Sequence, residues 1–291
     1  MLQRVVSTMR LILIKVFIIC FLGLSLQSCE TLGGLFSKDS ESSDSGEEEF
    51  GGWNSEKFRT EAKKSVDSGN YDRAIKLYEA LESRYPFGES SAQTQLDIAY
   101  AYYKNGDPES AIAAADRFIK INPRSPSVDY AYYLKGLVNY NRDIGFIDRF
   151  LPTDTSQRDP GSANDAYNNF DELIRRFPSS KYIADARLRM IALRNNLAMH
   201  EVHVARYYLK RKAYIAAANR ASGVIDKYQR TPAVPFALQV MQEAYSELGM
   251  KDLANDAKQV YVQNYPDGPP IPEQKNSTLS HRIWDFIGLE K

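Results

Sequence analysis

Cysteine is almost missing from this chain. Two in 291 residues exclude a disulfide framework and a thiolate-rich metal site. Histidine is as scarce, with three residues, two of them in His200-Glu-Val-His203. A zinc-protease helix needs its histidines four apart with Glu beside the first, and here they are three apart. No Gly-rich phosphate loop and no Gly-x-Ser-x-Gly elbow occurs, since the pairs Gly33-Gly34 and Gly51-Gly52 sit in a polar stretch. So no catalytic residue, no metal and no enzyme activity is expected. Neither charge sign dominates: 37 Lys and Arg meet 37 Asp and Glu. That argues against nucleic acid as a partner, because phosphate binding needs a basic excess. What the chain does have is 43% apolar residues, too many for disorder. It also has 19 tyrosines against 16 glycines, which points to helices packed with aromatic side chains.

The ends differ from the middle. Residues 1–28 read as an export signal: Arg4, Arg10 and Lys15 precede the uncharged run 16–26, too short for a mature transmembrane helix. The run ends in Leu26-Gln27-Ser28-Cys29, which resembles a bacterial lipoprotein box, with Gln27 less usual than a small residue there. On that reading Cys29 becomes the new N-terminus, carrying a diacylglycerol and an N-acyl chain. The alternative is an ordinary secretory signal with an incidental Cys. Glu30 after the Cys leans towards outer-membrane sorting. Residues 29–52 read as a disordered tether: between 30 and 50 lie seven acids and one base. The remainder from 51 onward is weakly basic, with 33 bases and 30 acids.

A repeat organises the rest. Ala is followed by large or apolar residues at +4 and +7, an aromatic at +11 and Pro at +12. It occurs as Ala74, Tyr78, Leu81, Tyr85, Pro86 and as Ala166, Phe170, Leu173, Phe177, Pro178. Looser copies start at Ala111, Ala217 and Ala254; Asn122 replaces the aromatic in one and Gln229 the proline in another. Gly69, Gly106 and Gly249 precede three of the copies. Small Ala permits close helix approach, Gly permits the reversal, and Pro ends the second helix. The spacing predicts an all-α, tetratricopeptide-repeat-like solenoid of about five helical hairpins over 53–268. First helices are expected at 55–68, 91–105, 126–141, 180–211 and 233–248, the fourth long enough to act as a spine. An apolar insertion over 142–163 interrupts the third hairpin and is expected to pack on the solenoid. Residues 269–291 read as a tail with a short amphipathic helix, expected to cap the open end.

Stacked hairpins present first helices on a concave face. If Tyr102 packs in the core, Leu96, Tyr100, Tyr103 and Lys104 face the groove. If Gly136 is the close-packing site, Tyr130, Tyr133 and Tyr140 do so. Such a tyrosine row suits an extended or helical peptide, and Lys104 or Arg117 suits its carboxylate. The alternative is that these rings fill the core between hairpins.

Several strings, in this order and spacing, resemble the BamD (ComL) family of outer-membrane assembly lipoproteins. They are Arg84-Tyr85-Pro86-Phe87-Gly88, Ala99-Tyr-Ala-Tyr-Tyr-Lys-Asn105, Asp116-Arg117-Phe118-Ile119, Arg158-Asp159-Pro160 and Tyr207-Tyr208 with Asn219-Arg220. The likeness covers about residues 57–265; the long tether, the tail and Gln229 depart from the simplest pattern. The resemblance implies a non-enzymatic, lipid-anchored subunit at the periplasmic face of the outer membrane of a Gram-negative bacterium. It implies that hairpins one to three receive the C-terminal signal of unfolded β-barrel proteins. The groove set is then Tyr85, Phe87, Tyr100, Tyr103, Lys104, Arg117, Tyr130 and Tyr133. Hairpins four and five would meet the periplasmic domains of BamA, with Arg220 on that face, in a complex with other BAM lipoproteins. The rival class is a periplasmic repeat lipoprotein that binds or regulates cell-wall (peptidoglycan) machinery.

Overall fold

A computed structural model describes residues 50–87, 90–142 and 154–269, which divide into two units between Asn54 and Ser55. Cys29, the signal, most of the tether, the core of the insertion and the tail after Pro269 lie outside the described residues.

The unit from Ser55 holds ten α-helices and no strand among the described residues. They are α1 (Ser55–Asp67), α2 (Tyr71–Arg84), α3 (Ser91–Asn105), α4 (Pro108–Ile121) and α5 (Val128–Asn141). After a 3₁₀ turn, Thr155–Gln157, come α6 (Gly161–Arg176), α7 (Ile183–Lys210), α8 (Tyr214–Lys227), α9 (Val234–Glu247) and α10 (Lys251–Asn264). Consecutive helices pack pairwise as five antiparallel hairpins. The fold is the expected one.

Local chemistry sets the helix ends. The Asn70 side chain accepts from the Arg73 amide at 3.2 Å, and Asp107 from Ser110 at 3.0 Å, capping α2 and α4. Pro108 opens α4, where no amide hydrogen is needed. Gly106 ends α3 with φ +79°. The fourth hairpin makes the same reversal with Lys212 at φ +58°, a conformation that costs a side-chain-bearing residue about 1 kcal/mol. That turn therefore lacked the glycine signal. The second helices end at C-caps Tyr85, Phe177 and Tyr265, each directly before Pro86, Pro178 or Pro266, as a following proline favours. Yet α8 ends the same way at Tyr228 although Gln229 follows, so proline sharpens this stop without being needed for it.

The five repeat alanines, Ala74, Ala111, Ala166, Ala217 and Ala254, are all buried between their helices. Gly136 of α5 lies flat against the Phe170 ring of α6, the close approach the sequence suggested. One core cluster joins Leu96, Phe118, Ala131, Phe170, Ala186 and Leu193; another joins Ala198, Val202, Ala205, Ala217, Val224 and Ala237. Helix α7 contributes its first half to one and its second half to the other, so it is the spine. Among the described residues α10 is the last helix, and on it Asn255 and Lys258 are exposed where Ile75 and Tyr78 are buried in α2.

Two of the three histidines have a structural task. His200 Nδ1 lies 3.0 Å from the Ser156 carbonyl and His203 Nε2 3.0 Å from the Ser156 hydroxyl. Together they fasten the 3₁₀ turn to α7. Among the described residues no group of three or more potential ligands forms a metal site, and no helix is long and apolar enough to cross a membrane.

Candidate functional site: an aromatic cleft on the first helices

First helices touch one another directly, α3 with α5, α5 with α7 and α7 with α9. That line of close contacts is the inner side of the stack. Its aromatic residues come from α3 (Tyr100, Tyr103), α5 (Tyr130, Tyr133, Tyr140) and the residue before α7 (Tyr182). All six are half-buried, with one edge packed and one open. Tyr130 and Tyr182 lie 5.6 Å apart, and Tyr133 stacks on Tyr182 at 4.6 Å and 12°. Two adjoining cavities follow this row. One of 330 Å³ is lined by Asp97, Tyr100, Tyr130 and Tyr182. One of 500 Å³ is lined by Asp129, Tyr130, Phe177 and Tyr182. The open cleft fits an extended chain better than a compact small molecule.

Side chains from different hairpins lock the row. The Tyr133 hydroxyl donates to Asp185 Oδ2 at 2.6 Å, and Arg189 Nε donates to the same oxygen at 2.6 Å. The Arg189 guanidinium also lies 4.8 Å from the Tyr140 ring centroid. Asn141 donates to the Tyr103 hydroxyl at 2.8 Å. Burial and the Asp185 bond push the Tyr133 hydroxyl up to about 12. The Arg189 hydrogen bond, against partial burial and with help from Tyr133, holds Asp185 below the usual carboxylate range. A depressed folded value stabilises above the unfolded one and is lost as pH falls through the folded one. The stability gap between the parent and Asp185→Asn is therefore expected to be full near neutrality. It should close as the pH drops below the ordinary carboxylate range near 4, read from urea midpoints at a series of pH values.

Not every expected groove residue joins the cleft. Leu96 is buried beside Phe118 and Val128 and also lines the 330 Å³ cavity, so it forms the floor of the cleft as expected. Tyr102 is half-exposed rather than core, its hydroxyl donating to Glu79. The register that placed Leu96 and Tyr100 inward assumed Tyr102 in the core; that assumption does not hold, yet both residues line the cavity. Lys104 is exposed at the α3–α4 turn, its ammonium 5.8 Å from the Tyr71 ring centroid. Arg117 belongs to a second helix and pairs with Glu82 at 2.9 Å, tying α4 to α2 away from the tyrosines. Tyr85 and Phe87 lie in the loop between α2 and α3, and Phe87 is 93% exposed. The comparable loops after α4 and α6 supply Ser127 and Lys181 to the cleft edge. Sequence reasoning missed Asp97, Tyr182, Asp185 and Arg189. Carrying the helical register into α7 would have found the last three.

Two further features concern the strings that carried the resemblance. Arg158, Asp159 and Pro160 border a cavity of 170 Å³ that Asn139 and His200 also line. The buried Asn139 Oδ1 there has no hydrogen-bond partner among the described residues. On α8, Arg220 holds both oxygens of Glu201, at 2.9 and 3.3 Å, and remains 49% exposed at its side chain.

Comparison with known proteins now decides the family. The YfiO family, described as outer membrane lipoprotein, matches residues 53–260. The chain belongs to this family. It is 45% identical over 255 residues to an outer membrane protein assembly factor BamD of Neisseria meningitidis serogroup A, covering 88% of this chain and 92% of that one. The BamD of Neisseria gonorrhoeae is 44% identical over the same shares. The BamD of Vibrio cholerae is 40% identical over 205 residues, 70% of this chain and 85% of its own. YfiO-family membership associates the chain with the outer membrane, and it spans every described helix but the last few residues of α10.

Proposed function

We propose that the chain is a lipid-anchored scaffold subunit of the machinery that assembles β-barrel proteins into the outer membrane. The observation that carries this is the 45% identity to a BamD over 88% of this chain and 92% of that one. Cys29 bears the lipid and holds the solenoid at the periplasmic face. The aromatic cleft on hairpins two and three, extended by Tyr182 of the fourth, receives the aromatic-ended C-terminal segment of an unfolded barrel protein. Rings open on one edge take apolar side chains, and the hydroxyls not already engaged by Asp185 and Asn141 can serve an extended backbone. Hairpins four and five, through Arg220, meet the periplasmic domains of BamA, and other BAM lipoproteins complete the assembly. Holding the segment beside the barrel subunit raises its local concentration for hand-over. No covalent step is needed. The relatives' names do not favour the cell-wall alternative.

The test uses the full chain in detergent and a fluorescent peptide copying the last strand of an outer-membrane barrel protein. Saturable binding is expected, weakened about tenfold when Tyr130 is changed to Ala or the peptide's terminal Phe to Ala. A scrambled peptide binding as well as the native one would remove the reading.

A further inference from the structure

One carboxylate in the cleft is out of balance with its surroundings. Asp97, on α3, is half-buried in the wall of the 330 Å³ cavity. Its one hydrogen bond comes from the neutral Gln93 amide, at 2.7 Å. No Lys or Arg lies within ion-pair distance of it among the described residues, in contrast to Asp185 with Arg189, Glu201 with Arg220 and Glu82 with Arg117. Arg59 and Lys63 of α1 act on it only from farther away. Burial pushes its carboxyl above the usual range, outweighing Gln93 and those two cations.

The rest of the cavity suits a cation. Tyr100 and Tyr130 present rings beside the carboxylate, and no cation of the chain lies over either ring among the described residues. Tyr182 closes the far wall. It already has Tyr133 stacked on it and the Lys181 ammonium 5.1 Å from its centroid, so it serves as a wall. A partly desolvated carboxylate flanked by two aromatic rings attracts an ammonium or guanidinium through charge and ring quadrupole together. The stems of Lys and Arg are apolar, and the 330 Å³ between these rings accommodates one.

We infer that the cavity bounded by Asp97, Tyr100 and Tyr130 is a subsite for a single Lys or Arg side chain of the extended segment bound in the cleft. This rests on the peptide-groove reading and adds a charge preference to it. The aromatic row accepts apolar side chains on either side, and Asp97 selects one cationic position among them. The subsite would set the register of the segment, since sliding by one residue turns the cation to the opposite side of an extended chain.

The experiment compares peptides that share the aromatic C-terminus and differ by Lys, norleucine or Glu, each placed in turn at successive positions. Binding to the full chain in detergent is followed by fluorescence anisotropy. At one position Lys is expected to bind about fivefold to tenfold tighter than norleucine and Glu weaker than either. The Lys preference should shrink with added salt. In Asp97→Asn the Lys and norleucine peptides should bind equally, with a circular dichroism spectrum and melting temperature showing that the variant is folded. Asp97→Glu should keep part of the preference. Equal binding of Lys and norleucine peptides at every position overturns the subsite and leaves the groove standing. A Lys preference that persists in Asp97→Asn also overturns it. No binding of any peptide removes the groove reading and this one with it.

Discussion

Arg220→Glu is expected to abolish capture of the BamA periplasmic domains by the chain, a loss of about a hundredfold or more. The side chain is half-exposed on α8, in the part of the solenoid proposed to meet that partner. Its charge is firmly held: the Glu201 hydrogen bond, then the Glu201 charge, raise its pKa further. A reversed charge at an interface sets like charges against each other, which costs several kcal/mol. Reversal also breaks the pair with Glu201 and leaves two carboxylates facing, so folding must be separated from binding. The combined variant Glu201→Arg with Arg220→Glu does this. It restores an internal ion pair with its ends exchanged. If Arg220 acts only inside the solenoid, the double variant recovers capture; if it meets the partner, capture stays lost while the circular dichroism matches the parent. Surface plasmon resonance with immobilised BamA periplasmic domains gives both answers. Undiminished binding by the single variant would move the partner contact elsewhere.

Gly136→Ala is expected to destabilise the third hairpin by about 2 kcal/mol, seen as a fall in melting temperature of about 5 °C. Two effects oppose. Ala favours a helix over Gly by about 1 kcal/mol. Against this, a Cβ at 136 would stand 2.4, 2.5 and 2.8 Å from three atoms of the Phe170 ring. That ring is fully buried and hemmed by Tyr133 and Tyr140, so it has nowhere to retreat. Overpacking of this kind costs about 3 kcal/mol, which decides the sign. Phe170→Leu clears the space, so the double variant should lose less than the sum of the singles. Because Tyr133 and Tyr140 lean on the same ring, peptide binding in the cleft should weaken along with stability. A melting temperature at or above the parent's would mean that α5 and α6 separate more easily than their packing implies.

The repeat was legible because its signals are local. An Ala every hairpin, Pro after the second helix and Gly or a capping Asn or Asp at the turn act within one or two helical turns. So the expected first helices at 55–68, 91–105 and 233–248 agree with α1, α3 and α9 to within a residue or so. The one turn without such a signal, at Lys212, sits where the structure accepts a left-handed side-chain-bearing residue. The tyrosine row was half legible. Tyr130, Tyr133 and Tyr140 followed from Gly136, a residue whose burial has one clear cause. Tyr100 and Tyr103 came out on the cleft side although the assumption about Tyr102 did not hold. Leu96 lines the same cavity from below, and Lys104 did not join it, since part of a turn on a helix exchanges one face for another.

From the sequence alone came the helical hairpins, their number and boundaries, the exclusion of a disulfide framework and the family resemblance. Each rests on residues close together in the chain or on their count. The tertiary structure alone decided the pairings: Tyr133 with Asp185, 52 residues apart, and Arg117 with Glu82, 35 apart. It also decided that, among the described residues, Asp97 stands without an ion-pair partner at the cleft while Arg117 is spent on holding two second helices together. A charged side chain on a helix has several candidate partners within reach of its rotation. Which of them it meets depends on how neighbouring hairpins twist against one another, and that twist is set by the packing of rings such as Phe170 against a bare Gly136.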